Sequence, residues 1–349
     1  MIYQLTVDWC RNGRFPLLNN FRMFEEARIV INDILKIKSN ETVTLATDCQ
    51  RRREAEALAL AVAEIGADVM IVDISDHVGK ISAGDTYWSM PPKHFIATLQ
   101  NSNVNIFTVD QTYAFRISHH IRSFVQISET CSTYKVDPGM GTWGLTRKDV
   151  DRIAEAGNKI MVAISDHDEV RVTSQEGTDV RLSIRGRKCL PVFPVPERGK
   201  SLFVHAVPLW AECNWAPMED SAEGKIVIDG ITEASTVLRA VNKPVEWIVK
   251  KGRVVEVLGE EDADDFRRVV ATDQGAAVIG ELGIGGSHKA ILGTESEKGR
   301  LGTVHFGLGD NTVYPGGRNK SQVHVDGTVR RVTLQVDGKT IIEQGALVI

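Results

Sequence analysis

The sequence predicts an α/β N-terminal domain with a mainly parallel sheet, followed by a β-rich α+β C-terminal domain. The first half alternates helical patterns with short apolar strands, which is typical of a parallel sheet covered on both faces. The second half contains short, closely spaced strands joined by tight turns. A proline-rich link, LPVFPVPERGK, separates the two patterns. It places the predicted domains at residues 1–190 and 191–349.

Each element of the first half is predicted by its own local pattern. Apolar residues recur at helical spacing in FRMFEEARIVINDILKIK and in RRREAEALALAVAEIG, and Gly66 is the natural C-cap of the latter. Short apolar runs predict strands at ETVTLATD, ADVMIVDIS and NVNIFTVD. Prolines open the helix PPKHFIATLQNS, and TRKDVDRIAEAGNKI is a further predicted helix. No GxGxxG follows the first strand, so the sequence does not support a dinucleotide site.

The remaining elements are predominantly strands. EVRVTSQ and DVRLSIRG, joined by EGT, predict a hairpin just before the proline-rich link. KKGR and VDGK predict hairpin turns in the second half, and EEDADDFRRVVA predicts its helix. The other predicted strands of that half are GKIVIDG, VEWIVKKGRVVEVLG, AAVIGELGIGG, GTVHFGLG and QVHVDGTVRRVTLQVDGKTII.

Composition narrows the class of protein. A chain of 349 residues with 42% hydrophobic and 25% charged residues is typical of a globular protein with a large core. A net charge of −5 and a pI near 6.0 give no reason to expect a nucleic-acid partner. No apolar run approaches the length of a membrane span, and we expect neither a membrane segment nor a signal peptide. Five scattered cysteines predict reduced thiols in the cytoplasm rather than a disulfide framework.

One short stretch, SQVHVD, places an imidazole and a carboxylate two residues apart in a predicted strand. Residues i and i+2 of a strand point to the same face, so His324 and Asp326 should project side by side. Val323 and Val325 should point to the opposite face. Such a pair can form a hydrogen-bonded pair, an acid–base pair or half of a metal site. These three interpretations stay open from the pattern alone.

Three further residues have comparable settings. Glu281 lies in the apolar, glycine-flanked run VIGELGIGG, where a buried carboxylate needs a cation or another partner. Glu212 lies in LWAECNWAP, and His305 alternates with apolar neighbours in GTVHFGLGD, a pattern equally typical of a satisfied core histidine. With the SQVHVD pair they form a nitrogen and oxygen donor set without sulfur. That set suits one or two divalent ions, such as Zn, Mn, Co or Fe(II).

The second half resembles the thermophilic metallo-aminopeptidase family, of the aminopeptidase T and aminopeptidase S type. The segments ECNWAPMEDSAEGKIVIDG, GELGIG, VHFGLGDN and SQVHVD occur in the order of that family. The resemblance implies homodimers or higher symmetric assemblies that help to enclose the site. It also implies two metal ions held by two glutamates, two histidines and an aspartate. The matching residues are Glu212, Glu281, His305, His324 and Asp326.

The same superfamily includes mononuclear iron enzymes that resemble 2,5-dihydroxypyridine ring-cleaving dioxygenases, which are the competing interpretation. In that branch a histidine stands at the position of Glu281 and a serine at that of Gly307. An apolar residue replaces Glu212, and an N-domain histidine is replaced here by Arg181. These four departures favour the hydrolase ligand set. The fold family also resembles an aromatic aminohydrolase, so a small aromatic substrate is an alternative to a short peptide.

The predicted reaction is cleavage of an amide or C–N bond by water that the bound ions activate. Glu281 or Glu212 would accept the proton of the water and return it to the leaving amine. Tyr314, or an arginine such as Arg181 or Arg185, would stabilise the developing oxyanion. We expect His119 or the adjacent His120 to reach the cleft and bind substrate together with Arg181. A non-catalytic binding protein is a third class, and it has no need for buried carboxylates.

Overall fold

The chain alternates helices and strands up to residue 164 and consists mainly of strands beyond it. The computed structural model describes residues 16–78, 90–110, 113–114, 117, 121, 125, 131–196, 206–234 and 237–349. The elements of the first part are α1 (Pro16–Arg28), which continues as a π-helical segment (Ile29–Ile34), β1 (Thr42–Thr47), α2 (Arg52–Glu64), β2 (Asp68–Asp73), α3 (Ser75–Val78), α4 (Lys93–Gln100), β3 (Val104–Thr108), β4 (Ser132–Val136) and α5 (Arg147–Ile164).

The second part contains sixteen strands among the described residues, one helix and one short 3₁₀ segment. These elements are β5 (Glu169–Thr173), β6 (Asp179–Ser183), β7 (Leu190–Val192), β8 (Ala206–Val207), β9 (Glu212–Trp215), β10 (Glu223–Ile228), β11 (Ile231–Thr232), β12 (Arg239–Ala240), β13 (Val245–Lys250), β14 (Arg253–Leu258), α6 (Glu261–Val270), β15 (Ile279–Gly285), the 3₁₀ segment (Glu295–Gly299), β16 (Val304–Gly309), β17 (His324–Val329), β18 (Thr333–Val336), β19 (Lys339–Glu343) and β20 (Ala346–Leu347).

The strands form three sheets. The first, in the order β2-β1-β3-β4-β8, is parallel throughout, as the alternation of helix and strand predicted. An eight-stranded sheet runs β14-β13-β10-β6-β5-β18-β19-β20, and a seven-stranded sheet runs β12-β11-β17-β16-β15-β9-β7. Both are antiparallel. The predicted fold class, a parallel α/β part and a β-rich part, is confirmed.

The predicted boundary at residue 190 does not match the division between these sheets. The hairpin β5-β6 precedes the proline-rich link, yet it pairs with β10 and β18 of the eight-stranded sheet. Conversely, β8 follows the link and pairs with β4 of the parallel sheet. The cause is burial, because Val170 and Leu182 of the hairpin pack into the same apolar core as Trp215 and Phe306. The proline-rich link therefore does not separate the sheets.

Side-chain alternation gives the seven-stranded sheet two different faces. Apolar residues of β9, β15, β16 and β17 point to the core shared with the eight-stranded sheet. Leu282, Ile284 and Phe306 are examples, and all are fully buried. The intervening residues of the same strands therefore point to the opposite face.

In the part of the chain that the structure describes, no helix is long and apolar enough to cross a membrane.

Candidate metal centre

Four adjacent strands bring the predicted ligands together on the face of the seven-stranded sheet opposite the apolar core. Register places Glu212 opposite Gly285, and His305 opposite Gly283. The residues thus project from neighbouring strands to the same side. We call this set the carboxylate–histidine cluster, and its members are Glu212 on β9, Glu281 on β15, His305 on β16, and His324 and Asp326 on β17.

Glu281 is the centre of the cluster. Its Oε1 lies 3.2 Å from Nε2 of His305, and its Oε2 lies 2.9 Å from Nε2 of His324. One group that could hold an ion consists of Glu212, Glu281 and His305, with its ligand atoms all within 4.8 Å of one another. A second group consists of Glu281, His324 and Asp326 and meets the same limit. The two groups share Glu281. The first combines it with Glu212 and His305, and the second combines it with His324 and Asp326.

Two glycines leave the space that this arrangement needs. A Cβ on Gly283 would overlap the imidazole of His305, which comes from the neighbouring strand. A Cβ on Gly307 would lie 2.8 Å from Cβ of Glu281 and 2.9 Å from Oδ1 of Asp326. Real Cβ atoms do not make contacts this close. The cluster therefore requires glycine at both positions, because a side chain there would overlap His305, Glu281 or Asp326.

Burial and charge govern ionisation in the cluster. Burial and the charge of Asp326 oppose ionisation of Glu281, but His305 and His324 outweigh them and lower its pKa to about 2. Burial disfavours the imidazolium of His305, whereas the charges of Glu281 and Glu212 raise its pKa to about 9. Burial raises the pKa of Glu212. The cluster therefore holds strongly interacting charges away from bulk water.

The donor set fits a divalent cation. Oε2 of Glu212, Oδ1 of Asp326 and Nδ1 of His305 are buried and form no hydrogen bond with the described residues. Two of these atoms are carboxylate oxygens, which are costly to bury without a partner. Nδ1 of His324 lies 2.7 Å from the carbonyl oxygen of Asp310, so it donates and directs Nε2 toward the cluster. Histidine ligands are commonly held in this way.

Tyr314 lies at the edge of the cluster, as predicted. Its hydroxyl is 3.3 Å from Nε2 of His324, and the residue is buried. Burial, together with the charges of Glu281 and Asp326, raises the pKa of Tyr314 well above its usual value. The phenol is thus held protonated and can donate a hydrogen bond. Its role toward an oxyanion stays a prediction.

The remaining predicted residues lie elsewhere. Arg181 is exposed on β6, where its guanidinium is 3.9 Å from Glu169. Arg185 is also exposed and pairs with Asp168. No contact of either arginine with the cluster is found among the described residues. His119, with His120, lies outside the residues that the structure describes.

Sequence reasoning missed two charged residues beside the cluster. Lys298, in the 3₁₀ segment, donates to Oδ2 of Asp326 at 2.9 Å and to Oε1 of Glu233 at 2.6 Å. Both residues are buried. Their local sequences, TESEKGR and GITEAST, have the polar composition of exposed loops. No pattern within either segment indicates burial, because the contacts come from distant parts of the chain.

Comparison with known proteins places the chain in a family. The sequence profile described as 2,5-dihydroxypyridine 5,6-dioxygenase (NicX) matches residues 33–349. The chain belongs to this family. A comparison with curated protein sequences finds no match. The dioxygenase family is the one that the sequence suggested as its competing interpretation, within the superfamily that was predicted.

Solved structures show the same fold. The 2,5-dihydroxypyridine dioxygenase from Pseudomonas putida KT2440 is 16% identical with a TM-score of 0.67, over 94% of this chain and 97% of that one. AmpT from Thermus thermophilus, an aminopeptidase T, is 15% identical with a TM-score of 0.65, over 94% of this chain and 99% of that one. The NicX family member thus shares its fold with a dioxygenase and an aminopeptidase and belongs to a superfamily of enzymes.

Proposed function

We propose that the protein is a metal-dependent hydrolase that cleaves an amide or C–N bond in a short peptide or a small aromatic substrate. The position of Glu281 carries this proposal, since each of its oxygens faces a different histidine. A carboxylate placed between two histidines in this way would suit a site for two divalent ions. A single-ion site has no need for a shared carboxylate.

The number of buried carboxylates supports the same proposal. Glu212, Glu281 and Asp326 are all buried, while Lys298 is balanced by Glu233. Burying an uncompensated charge costs several kcal/mol. One divalent ion leaves one of the three carboxylate charges uncompensated, whereas two ions exceed the three by one positive charge, which an anionic substrate group or a hydroxide would balance. Zn, Mn, Co and Fe(II) all suit the nitrogen and oxygen donors.

The residues in and beside the cluster have different roles in the proposed hydrolysis. When bound, divalent ions lower the pKa of water toward neutrality and polarise the substrate carbonyl. Glu212 has fewer contacts with the cluster histidines than Glu281 has. Asn214 donates to its Oε1 at 3.0 Å, and its Oε2 has no hydrogen bond from the described residues. It is therefore the better proton acceptor, and it returns the proton to the leaving amine. The hydroxyl of Tyr314 donates to the developing oxyanion.

Substrate binding by His119 stays part of the proposal, whereas the fold does not favour the same role for Arg181. Val180 and Leu182, the neighbours of Arg181 on β6, point into the core shared by the two antiparallel sheets. Arg181 therefore points to the outer face of the eight-stranded sheet, and the core separates it from the cluster. Replacing Arg181 by Ala is expected to leave KM and kcat unchanged.

A ring-cleaving dioxygenase is the second candidate, and the family match over residues 33–349 favours it. Mononuclear iron oxygenases commonly hold Fe(II) with two histidines and one carboxylate. His305 and His324 with Glu281 would supply such a set. Under this alternative Glu212 and Asp326 are additional buried carboxylates whose role is not explained.

One experiment separates the two functions. Protein purified without chelator is analysed for bound metal, and the number of ions per chain is determined. The same preparation is then assayed without oxygen on aminoacyl amides, short peptides and small aromatic amides with added Zn, Mn or Co. In parallel, oxygen consumption is followed with 2,5-dihydroxypyridine and Fe(II).

The outcomes are distinct. Two ions per chain and oxygen-independent cleavage of an amide or C–N bond are expected. Oxygen uptake that depends on Fe(II) and the dihydroxypyridine, with one ion per chain, would replace the hydrolase by the dioxygenase. A protein that binds no divalent ion at all would rule out both candidates.

A further inference from the structure

Lys298 contacts the carboxylate–histidine cluster, and no step of the proposed reaction uses it. Its side chain is only 6% exposed, and its Nζ lies 2.9 Å from Oδ2 of Asp326 and 2.6 Å from Oε1 of Glu233. The ring of Trp210 lies 5.4 Å from the same nitrogen, a distance typical of a cation–π contact. Two carboxylates and an indole thus surround one buried ammonium.

This ammonium stays charged in spite of its burial. Burial disfavours the charged form, but the carboxylates of Asp326 and Glu233 outweigh it and hold the pKa of Lys298 well above its usual value. Hydrogen bonds between charged partners are shorter and stronger than neutral ones. Lys298 therefore fixes the carboxylate of Asp326 through Oδ2.

The two oxygens of Asp326 consequently have different surroundings. Oδ2 accepts from Lys298. Oδ1 is buried without a hydrogen bond from the described residues, and it lies 3.3 Å from Nε2 of His324. It also lies beside Gly307, where an added Cβ would be only 2.9 Å away. Only Oδ1 is directed into the cluster.

We propose that Lys298, held in place by Glu233, is a positioning residue that restricts Asp326 to binding a divalent cation through Oδ1 alone. A carboxylate with one oxygen on an ammonium cannot offer that oxygen to a cation without bringing two positive charges together. Glu233 neutralises the ammonium, so Lys298 orients Asp326 without repelling the cation. This inference rests on the proposed function, because it requires the cluster to bind a divalent ion.

Calorimetric titration of metal-free protein with Mn²⁺, without substrate, tests the proposal. Lys298→Met keeps the volume of the side chain and removes its hydrogen bond to Asp326. Loss of a group that orients a metal ligand typically weakens metal binding about 10–100-fold, and we expect a loss of that size. Lys298→Gln can still donate to Oδ2, so its affinity should lie between those of the wild type and Lys298→Met.

Lys135 provides a matched control. It is as buried as Lys298, lies 5.9 Å from the same Trp210 ring, and pairs with Glu295 at 2.5 Å. Its described ion pair is with Glu295 rather than with a member of the cluster. Lys135→Met should therefore lose stability like Lys298→Met and keep the Mn²⁺ affinity of the wild type.

Each result decides the inference. Wild-type affinity in Lys298→Met, or an equal loss in both methionine variants, would overturn it. If Lys298→Met does not fold, Lys298→Gln is compared with Asp326→Asn, and wild-type affinity in the glutamine variant would overturn it. A wild type that binds neither Mn²⁺ nor Zn²⁺ nor Fe(II) would instead remove the proposed function, and the inference with it.

Discussion

His324 is held by different partners at its two ring nitrogens. Nδ1 donates to the carbonyl oxygen of Asp310 at 2.7 Å, while Nε2 lies 2.9 Å from Oε2 of Glu281. The first contact orients the ring, and the second directs Nε2 into the cluster. The side chain is about one-fifth exposed, whereas that of Glu281 is buried. His324 is thus the most solvent-exposed residue of the carboxylate–histidine cluster, whose other members are buried.

Replacing His324 by Ala is expected to abolish activity and bound metal while the fold is kept. The imidazole belongs to the carboxylate–histidine cluster rather than to the apolar core, so stability should change by no more than about 1–2 kcal/mol. Metal analysis and circular dichroism measure the two effects. His167→Ala is the control, because that histidine is exposed and pairs with Asp337 at 2.8 Å. Full metal content in His324→Ala would contradict the assignment.

Asp137 gives a pH dependence that is separate from the cluster. It is fully buried, Leu209 donates its backbone N–H to Oδ2 at 2.7 Å, and burial raises its pKa to about 7 from an ordinary 3.8. The folded state therefore holds this proton more tightly than the unfolded chain does. The resulting stabilisation is complete below about pH 4 and is lost as the pH rises through about 7.

Asp137→Asn removes this proton equilibrium and retains an acceptor for Leu209. The unfolding free energy of the wild type minus that of the variant should fall by about 4 kcal/mol between pH 4 and pH 7, and should be flat above that range. Urea unfolding in the presence of chelator measures it at each pH. A difference that does not change with pH would show that Asp137 does not titrate in this range.

Residues that follow strand alternation could be predicted from the sequence, whereas residues buried by distant contacts could not. Alternation places His324 beside Asp326, and the family resemblance groups Glu212, Glu281 and His305 with them; the structure brings the five side chains together. Lys298 lies 65 residues from Glu233 and 28 from Asp326 along the chain. Nothing in its own polar segment indicates either contact.

At the level of elements, the turns and strands were predictable, but the sheet that each strand joins was less so. The KKGR and VDGK turns have positive φ at Lys251 and Gly252 and at Asp337 and Gly338, as hairpin turns of this type require. The hairpin β5-β6 was predicted as a hairpin before the proline-rich link, and the structure pairs it with β10 and β18 of the eight-stranded sheet. Its apolar faces fit either half of the chain, and only tertiary packing decides between them.

The spacing of β15 and β16 makes Gly307 a sensitive position. Gly307→Ser is expected to lower the unfolding free energy by about 1–3 kcal/mol, because its Cβ would lie 2.8 Å from that of Glu281. Glu281→His keeps the same Cβ. The double variant, which approaches the dioxygenase pattern, should therefore lose as much unfolding free energy as Gly307→Ser alone. Urea unfolding of both single variants and the double variant tests this. Recovery of stability in the double variant would show that the Glu281 carboxylate, not its Cβ, causes the conflict.

At the scale of the molecule, buried charges join the parallel sheet to the β-rich part. Lys135 of β4 pairs with Glu295 of the 3₁₀ segment and lies 5.9 Å from the ring of Trp210, just before β9. Breaking a buried ion pair typically costs about 3–5 kcal/mol, since one charge is left without its partner. These contacts lie beside the cluster, so the parallel sheet supports the site that the strands of the other part carry.

Homo-oligomerisation stays a prediction. The resemblance to metallo-aminopeptidases implies a homodimer or a higher symmetric assembly that helps to enclose the site. Light scattering at micromolar concentration is expected to give at least twice the chain mass of 38.5 kDa. A particle with the mass of a single chain would contradict this, and Mn²⁺ binding measured on such a monomer would show that the cluster is complete without a second copy.

Metal removal is expected to destabilise the whole β-rich part. The cluster ties together β9, β15, β16 and β17, which are adjacent strands of one sheet. An ion that binds only the folded state raises the unfolding free energy, by about 4 kcal/mol when its free concentration is 1,000 times Kd. Without an ion, the buried carboxylates of Glu212, Glu281 and Asp326 repel one another. Urea unfolding of chelator-treated protein, with and without added Zn²⁺ or Mn²⁺, measures the gain. Asp326→Asn, which lacks one ligand charge, should respond much less. An unfolding midpoint in the wild type that neither ion changes would show that the cluster holds its charges without a metal.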